Sequence, residues 1–294
     1  MRTREQLSDA LSTATAVAGQ LRLPLNSRVW RGQAGEFRGA GVGSSLDFQD
    51  HRDYSPGDDP RHINWQAYAR TGQYTMKLYR EEVRPLVDLF LDVSQSMWVD
   101  DEKAQRTAEL LYFFTANAQK SGASLQVSGV LGDTVRAISL ESIMTHHWIE
   151  EVKELAADDA TRPPCLDLVK SRANAIRVFI SDLLFEGEPA SFLRSLHARQ
   201  GSGIIFAPFM KSEADPGWTG TYDFIDAEKE SRHPHQISPG VLDRYLKAYR
   251  NHFSLWEQEA RRFQVSLARI DCGTELFSSF NQQAVRTGAL EISP

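Results

Sequence analysis

Three short apolar runs constrain this chain more than any other feature: Leu86-Val87-Asp88-Leu89-Phe90-Leu91, Ile176–Ile180 and Gly203–Phe209. Runs of this kind make strands buried on both faces, the usual condition of a parallel sheet. Helical stripes stand between them. Ala104, Ala108, Leu111, Phe114 and Ala118 recur in steps of three and four after Asp100 and Asp101, which cap that helix. A second helix is expected around 189–199. Strands alternating with helices specify an α/β fold of three layers, a mostly parallel central sheet covered on both faces.

Other elements follow from local patterns. Ser124–Leu131 and Thr134–Leu140 are expected to be strands joined by Gly132-Asp133, a two-residue turn with glycine first. They supply one antiparallel strand at the sheet edge. Tyr74–Tyr79 alternates as a strand does, and Thr221–Ile225 and Val265–Ile270 predict two more. Helices are expected over 141–157 and 165–173, and over Leu276–Arg286. Ser238-Pro239 opens a long helix whose stripe is Leu242, Tyr245, Tyr249, Phe253, Trp256, Ala260 and Phe263. Its other side carries Arg244, Lys247, Arg250, Arg261 and Arg262, a solvated back. Near the start, Leu7, Ala10, Leu11, Ala14, Ala18 and Leu21 keep helical spacing. The cluster Gly32, Gly35, Gly39, Gly41 and Gly43 reads as flexible or extended. Residues 1–84 are thus expected to be an N-terminal helix and extended segment packed on a main α/β domain of residues 85–294.

Composition narrows the function. A net charge of −6 opposes whole-molecule attraction to nucleic acid or anionic membrane. Residues 1–40 hold six Arg against Glu5, Asp9 and Glu36, so the Arg/Gly-bearing stretch 28–43 keeps nucleic-acid binding as an alternative. No apolar run reaches the length of a membrane span. Ser8, Asp9, Ser12, Thr13 and Thr15 break up any signal-peptide core, which points to a cytoplasmic protein. Cys165 and Cys272 have no CxxC-type spacing and read as two buried thiols. There is no Gly-x-Ser-x-Gly elbow and no phosphate-binding loop. His146-His147 and His233-Pro-His235 lack helical metal-pair spacing and read as surface residues.

Chemistry concentrates just after the first apolar run, at Asp92-Val93-Ser94-Gln95-Ser96. A carboxylate and two hydroxyls at alternate positions converge if the loop curls, and hard cations such as Mg²⁺ take such oxygens. Ligands of open α/β sheets bind at the carboxyl ends of strands. Ser181-Asp182 closes the second run, so Asp182 can approach the same point. Two carboxylates offset a double charge and leave positions open for an acidic group from another molecule. Two other readings stand beside this one. The serines can simply cap the next helix, or Asp92 can be the nucleophile of a Mg²⁺-dependent, phosphatase-like hydrolase. Against the hydrolase, position 94 is Ser where such enzymes place a second Asp, and no lysine is obviously placed for a phosphate.

The DxSxS string, with its following helix, hairpin and later strand ending in Asp, resembles the metal-ion-dependent adhesion site of von Willebrand factor type A domains. That resemblance spans roughly 85–294 and implies a metal set of Asp92, Ser94, Ser96 and Asp182, with Mg²⁺ or Mn²⁺ bound. Type A domains usually add a threonine in a Gly-Thr context. Here Thr161, within Asp158–Cys165 and without that glycine, is the candidate. Upstream, Arg52-x-Tyr54-x-x-Gly57-Asp58-Asp59-x-Arg61-x-Ile63-x-Trp65, then Ala69-Arg70, resembles the signature of bacterial domain-of-unknown-function family fifty-eight. Such proteins often accompany MoxR-type AAA+ ATPases, which implies a non-catalytic interaction module for assembling or activating a client complex. Within the signature, Arg52, Arg61 and Arg70 beside Asp53, Asp58 and Asp59 are expected to form a charge network. Tyr54 and Trp65 are expected to anchor it.

Overall fold

The computed structural model describes residues 3–25, 34–42, 48–156, 162–225 and 232–293. The chain divides into two compact units, Met1–Pro24 with Leu86–Pro294, and Leu25–Pro85. Helix α1 (Arg4–Val17) starts at a capping box, in which Gln6 N–H donates to Thr3 Oγ1 and Thr3 N–H to Gln6 Oε1. Strand β1 (Leu21–Arg22) follows.

The smaller unit holds β2 (Ala34–Val42), β3 (Phe48–Asp53), helix α2 (Trp65–Thr71) and β4 (Thr75–Val83). Its three strands form an antiparallel sheet in the order β2-β4-β3. Asn64 caps α2 by accepting the Ala67 N–H, and Gly72 ends it in the left-handed conformation that glycine adopts without cost. Within the glycine cluster, 34–42 is extended, while 28–33 and Gly43 lie outside the described residues.

The larger unit continues with β5 (Leu86–Asp92), α3 (Asp101–Lys120), β6 (Ser124–Leu131), β7 (Thr134–Ile138), α4 (Leu140–Met144) and α5 (Trp148–Ala156). Next come β8 (Ile176–Ile180), α6 (Pro189–His197), β9 (Ser202–Phe209), α7 (Lys211–Ala214), β10 (Gly220–Ile225) and β11 (Arg232–Ile237). Helix α8 (Pro239–Arg262), β12 (Ser266–Asp271), α9 (Leu276–Ser279) and β13 (Glu291–Ile292) complete it. Six strands form the central sheet in the order β12-β9-β8-β5-β6-β7. The first five are parallel, and β7 is the antiparallel edge expected from the Gly132 turn.

Alternation along the strands explains the layers. Phe90, Phe179 and Ile205 share a face with Phe192 and Leu193 of α6 and Trp256 of α8. Phe206, one residue on, turns to the other face, against Phe114 of α3 at 4.8 Å and Phe280 at 5.6 Å between ring centroids. Helix α1 packs on α3 through buried Leu7, Ala10, Ala14 and Val17. Asn117 secures the exit from α1: its Nδ2 donates to Leu21 O (2.8 Å), and its Oδ1 accepts Leu23 N–H (2.9 Å).

Four elements depart from the sequence expectations. The helix expected over 141–157 is broken into α4 and α5 at His146, which has φ of 67°. His146 is half-buried there, with Nδ1 2.6 Å from the Tyr112 hydroxyl, so it is not simply a surface residue. Over 165–173 only a 3₁₀ turn forms, Leu166–Leu168. Arg172 instead reaches into the sheet, donating through N–H and Nε to the two oxygens of Asp88 (2.8 and 2.6 Å). The closing helix runs only through α9 before widening into a π turn, Phe280–Val285. Finally, β10 pairs with β11 in a separate two-stranded ribbon. Pro234 hides β11 from pattern reading, yet each strand of a ribbon is an edge that tolerates proline.

The cysteines are both free thiols. Cys272 is buried, whereas Cys165 is only half-buried.

Candidate metal centre

Strand β5 delivers Asp92 to the carboxyl edge of the sheet, buried at 1% exposure. Its Oδ1 accepts the Ser94 N–H (2.9 Å), which curls the loop, and its Oδ2 accepts the Ser181 hydroxyl (2.6 Å) from the end of β8. Val93 N–H still pairs with Val130 O (3.1 Å), so the loop leaves the sheet only after Val93. Gln95–Met97 then form a 3₁₀ turn.

Ser94 does not serve as a cap. Ser94 stands at the N-cap of that turn without a side-chain capping bond, and Asp100 caps α3 by accepting the Glu102 and Lys103 N–H groups. Ser94 Oγ lies instead 3.2 Å from Ser96 Oγ. Both serines are half-buried.

Asp182 is equally sequestered, at 3% exposure. Its N–H donates to Met97 Sδ (3.2 Å), and its Oδ1 accepts the Leu184 N–H (3.1 Å). Its Oδ2 accepts from Lys103 Nζ (3.0 Å), and the same ammonium pairs with Glu213 of α7. Burial opposes the Lys103 charge, but Asp182 and Glu213 outweigh it and hold the ammonium above its usual range. Asp92 fares differently. Burial first, and then the neighbouring Asp182 charge, push its carboxyl up to about 7, against the pull of hydrogen bonds from Ser181 and Ser94.

This donor set fits a hard divalent ion. Two ligands of an octahedral Mg²⁺, each about 2.1 Å from the ion, stand roughly 3 Å apart, close to the separation of the two serine oxygens. Asp92 would supply the anionic ligand beside them. Asp182 is already balanced by Lys103, so it suits a supporting role behind the ligands better than direct coordination. Among the described residues no three His, Cys, Asp or Glu side chains gather into a metal cluster, so an ion here depends on the hydroxyls. Thr161 lies outside the described residues.

Pattern reading missed Lys103, Glu213 and the role of Ser181. A lysine is in fact placed beside the carboxylates, but at 2% exposure and between two acids it is closed to a phosphate. The available signal was its position in the first turn of α3, next to the apolar stripe. Ser181 was named beside Asp182 but given no role, because its bond to Asp92 needs β8 beside β5, an order the chain does not spell out.

In the smaller unit the signature block forms part of the expected charge network. Arg52 grips Asp58 through both terminal nitrogens (2.7 and 2.6 Å), and Arg61 grips Asp59 (2.6 Å). These guanidinium bonds hold the Asp58 and Asp59 carboxyls down at about 2. Arg70 turns to Gln66 O instead. Trp65 is no buried anchor: it is 57% exposed, edge-on to Tyr68 and Tyr74, which stack on each other at 4.5 Å.

The family model described as "Protein of unknown function DUF58" matches residues 50–253, from the signature block through most of α8. The chain belongs to DUF58. No curated protein matches this DUF58 chain. Two solved structures are similar to it at low identity. One is an aerotolerance-related membrane protein from Bacteroides fragilis, with 11% identity, a TM-score of 0.33, and coverage of 61% of this chain and 98% of that one. The other is the conserved hypothetical protein BatB from Bacteroides thetaiotaomicron, with 13% identity, a TM-score of 0.36, and coverage of 69% and 98%. In the DUF58 chain itself, no helix among the described residues is long and apolar enough to cross a membrane.

Proposed function

We propose that Asp92, Ser94 and Ser96 hold a divalent cation, Mg²⁺ or Mn²⁺, in a von Willebrand factor A-like site that binds a partner protein without turnover. Asp182 stands behind the ligands, and Thr161 is a candidate to complete them. When bound, the ion supplies a Lewis-acidic position for an acidic side chain of the partner. The protein's own groups prepare that position. Ser181 and the Ser94 N–H fix both oxygens of Asp92, and Lys103 keeps Asp182 from adding an unbalanced charge. The observation that carries this reading is the pair of serine oxygens 3.2 Å apart beside a buried carboxylate. Ser94 in place of an acid/base Asp, and a lysine sealed between two carboxylates, favour binding over phosphatase-like catalysis. Membership of DUF58, whose proteins often accompany MoxR-type AAA+ ATPases, makes such an ATPase or its client the partner of choice.

A pull-down from source cells, with Mg²⁺ or with chelator, tests this. The wild type is expected to retain an AAA+ ATPase or a client only with Mg²⁺, and D92A to retain neither. Equal capture in chelator, or Asp92-dependent turnover of phosphate esters, would overturn it.

A further inference from the structure

On the larger unit, away from Asp92, a cavity of about 620 Å³ runs beside β12. Among the described residues β12 is an edge strand, paired only with β9. Leu267 and Arg269 from one face of β12 line the cavity with Val265 just before it, and so does Ser266 from the other face. A space along the strand's outer edge touches both parities. Its walls are a helical face of α8, Glu257 and Arg261 one turn apart, and the π-turn end, Gln283 and Thr287.

Arg269 is the anomaly there. Its guanidinium lies 3.7 Å over the Phe253 ring, 4.5 Å over the Phe209 ring and 5.2 Å over the Tyr249 ring. Among the described residues its one hydrogen-bond partner is the Tyr249 hydroxyl (2.5 Å), and its buried Nε has none. Desolvated cations are normally paired with an acid. The one acid lining the cavity, Glu257, is held by Arg261 at 3.6 Å. Two arginines against one glutamate leave the lining net positive.

We propose that this edge is a docking site for an extended acidic segment of a partner protein, which adds as a strand along β12 and places a carboxylate against Arg269. The edge of β12 supplies main-chain hydrogen bonds, while the Arg269 guanidinium, bonded only to the Tyr249 hydroxyl, selects the side chain. The volume suits a few residues of extended chain. The site does not depend on the metal reading, and binding here persists in chelator.

Calorimetry with acetyl-Val-Glu-Val-Glu-Val-amide tests it on the full chain in EDTA. The wild type is expected to bind this peptide at least tenfold more tightly than its Glu→Gln counterpart. R269Q is expected to remove that preference, with R261Q causing a smaller loss. An acidic peptide N-methylated at alternate residues is expected to bind at least tenfold more weakly to the wild type, a test that needs no variant to fold. Equal binding of acidic and Gln peptides, or of methylated and plain ones, would overturn the proposal. So would glutarate or inorganic phosphate binding as tightly as the peptide, which would assign the cavity to a small anion. A dimer that R269Q dissociates in sedimentation would assign the edge to a second copy of this chain, and would overturn it as well.

Discussion

Lys103 Nζ lies 3.0 Å from Asp182 Oδ2, with both side chains about 2% exposed. A fixed internal cation thus serves one of the two buried carboxylates at the carboxyl edge of the sheet, while Asp92 faces hydroxyls and a like charge. This asymmetry organises the candidate centre. It makes Asp92 the group that would gain most from a bound ion, while Asp182 already has its counter-charge in Lys103.

Breaking the lysine pair is therefore expected to be costly. K103M leaves Asp182 buried without a counter-charge, which typically loses about 3–5 kcal/mol. Adding D182N is expected to restore a large part of that, because the unpaired charge is gone. Urea unfolding of the single and double variants checks this. Equal stability of K103M and wild type would show that the pair is not held.

Asp92 sets a pH dependence of the metal-free protein. Its folded value is about 7 against an ordinary value of 3.8, so folding favours the protonated form. The contribution is fully present below the unfolded value and is lost as pH rises from about 4 through 7. In EDTA, the wild type is expected to lose stability across that window, while D92N stays level. Thermal melts at pH 5 and pH 8 compare them. A wild type that gains stability relative to D92N on going to pH 8 contradicts the assignment.

How much of this was legible in the chain depended on distance. Apolar runs and caps are local, so β5, β8, β9 and the Asp100-capped α3 could be read directly, as could the turn that makes β7 antiparallel. Side chains that work across elements could not. Asp88 interrupts the β5 run, and only the fold shows Arg172 reaching it from a segment expected to be helical. At the break, the His146 ring likewise meets the Tyr112 hydroxyl, 34 residues earlier in the chain. At the candidate site the contiguous Asp92, Ser94 and Ser96 were readable, whereas Lys103 and Glu213 required the packing of α3 and α7.

The Asp88–Arg172 pair gives a second stability test. Asp88 is 1% exposed, and Arg172 also donates to Val87 O (2.7 Å) and to Ser124 O (2.9 Å). R172A strands a carboxylate in the middle of a parallel sheet and is expected to cost about 3–5 kcal/mol. D88N, which keeps an acceptor, is expected to cost less. Denaturant midpoints of the two variants decide the order.

Close packing of β9 against its neighbours offers a third. A Cβ at Gly203 would sit 2.8 Å from Val265 Cγ2 and 3.0 Å from Leu196 Cβ. G203A is expected to cost about 1–3 kcal/mol, since well-packed cores resist added methyl groups. A lowered melting temperature checks it, and an unchanged one would mean that Val265 and Leu196 yield to the added methyl.

The central claim is that a cation binds through Asp92 and the two serines, and calorimetric titration of Mn²⁺ into chelator-stripped protein at pH 7.5 tests it most directly. The account predicts one ion per chain in the wild type, no detectable binding in D92N or in S94A/S96A, and a smaller loss in D182N. Absence of Mn²⁺ binding by the wild type, or binding that survives both D92N and S94A/S96A, would contradict it.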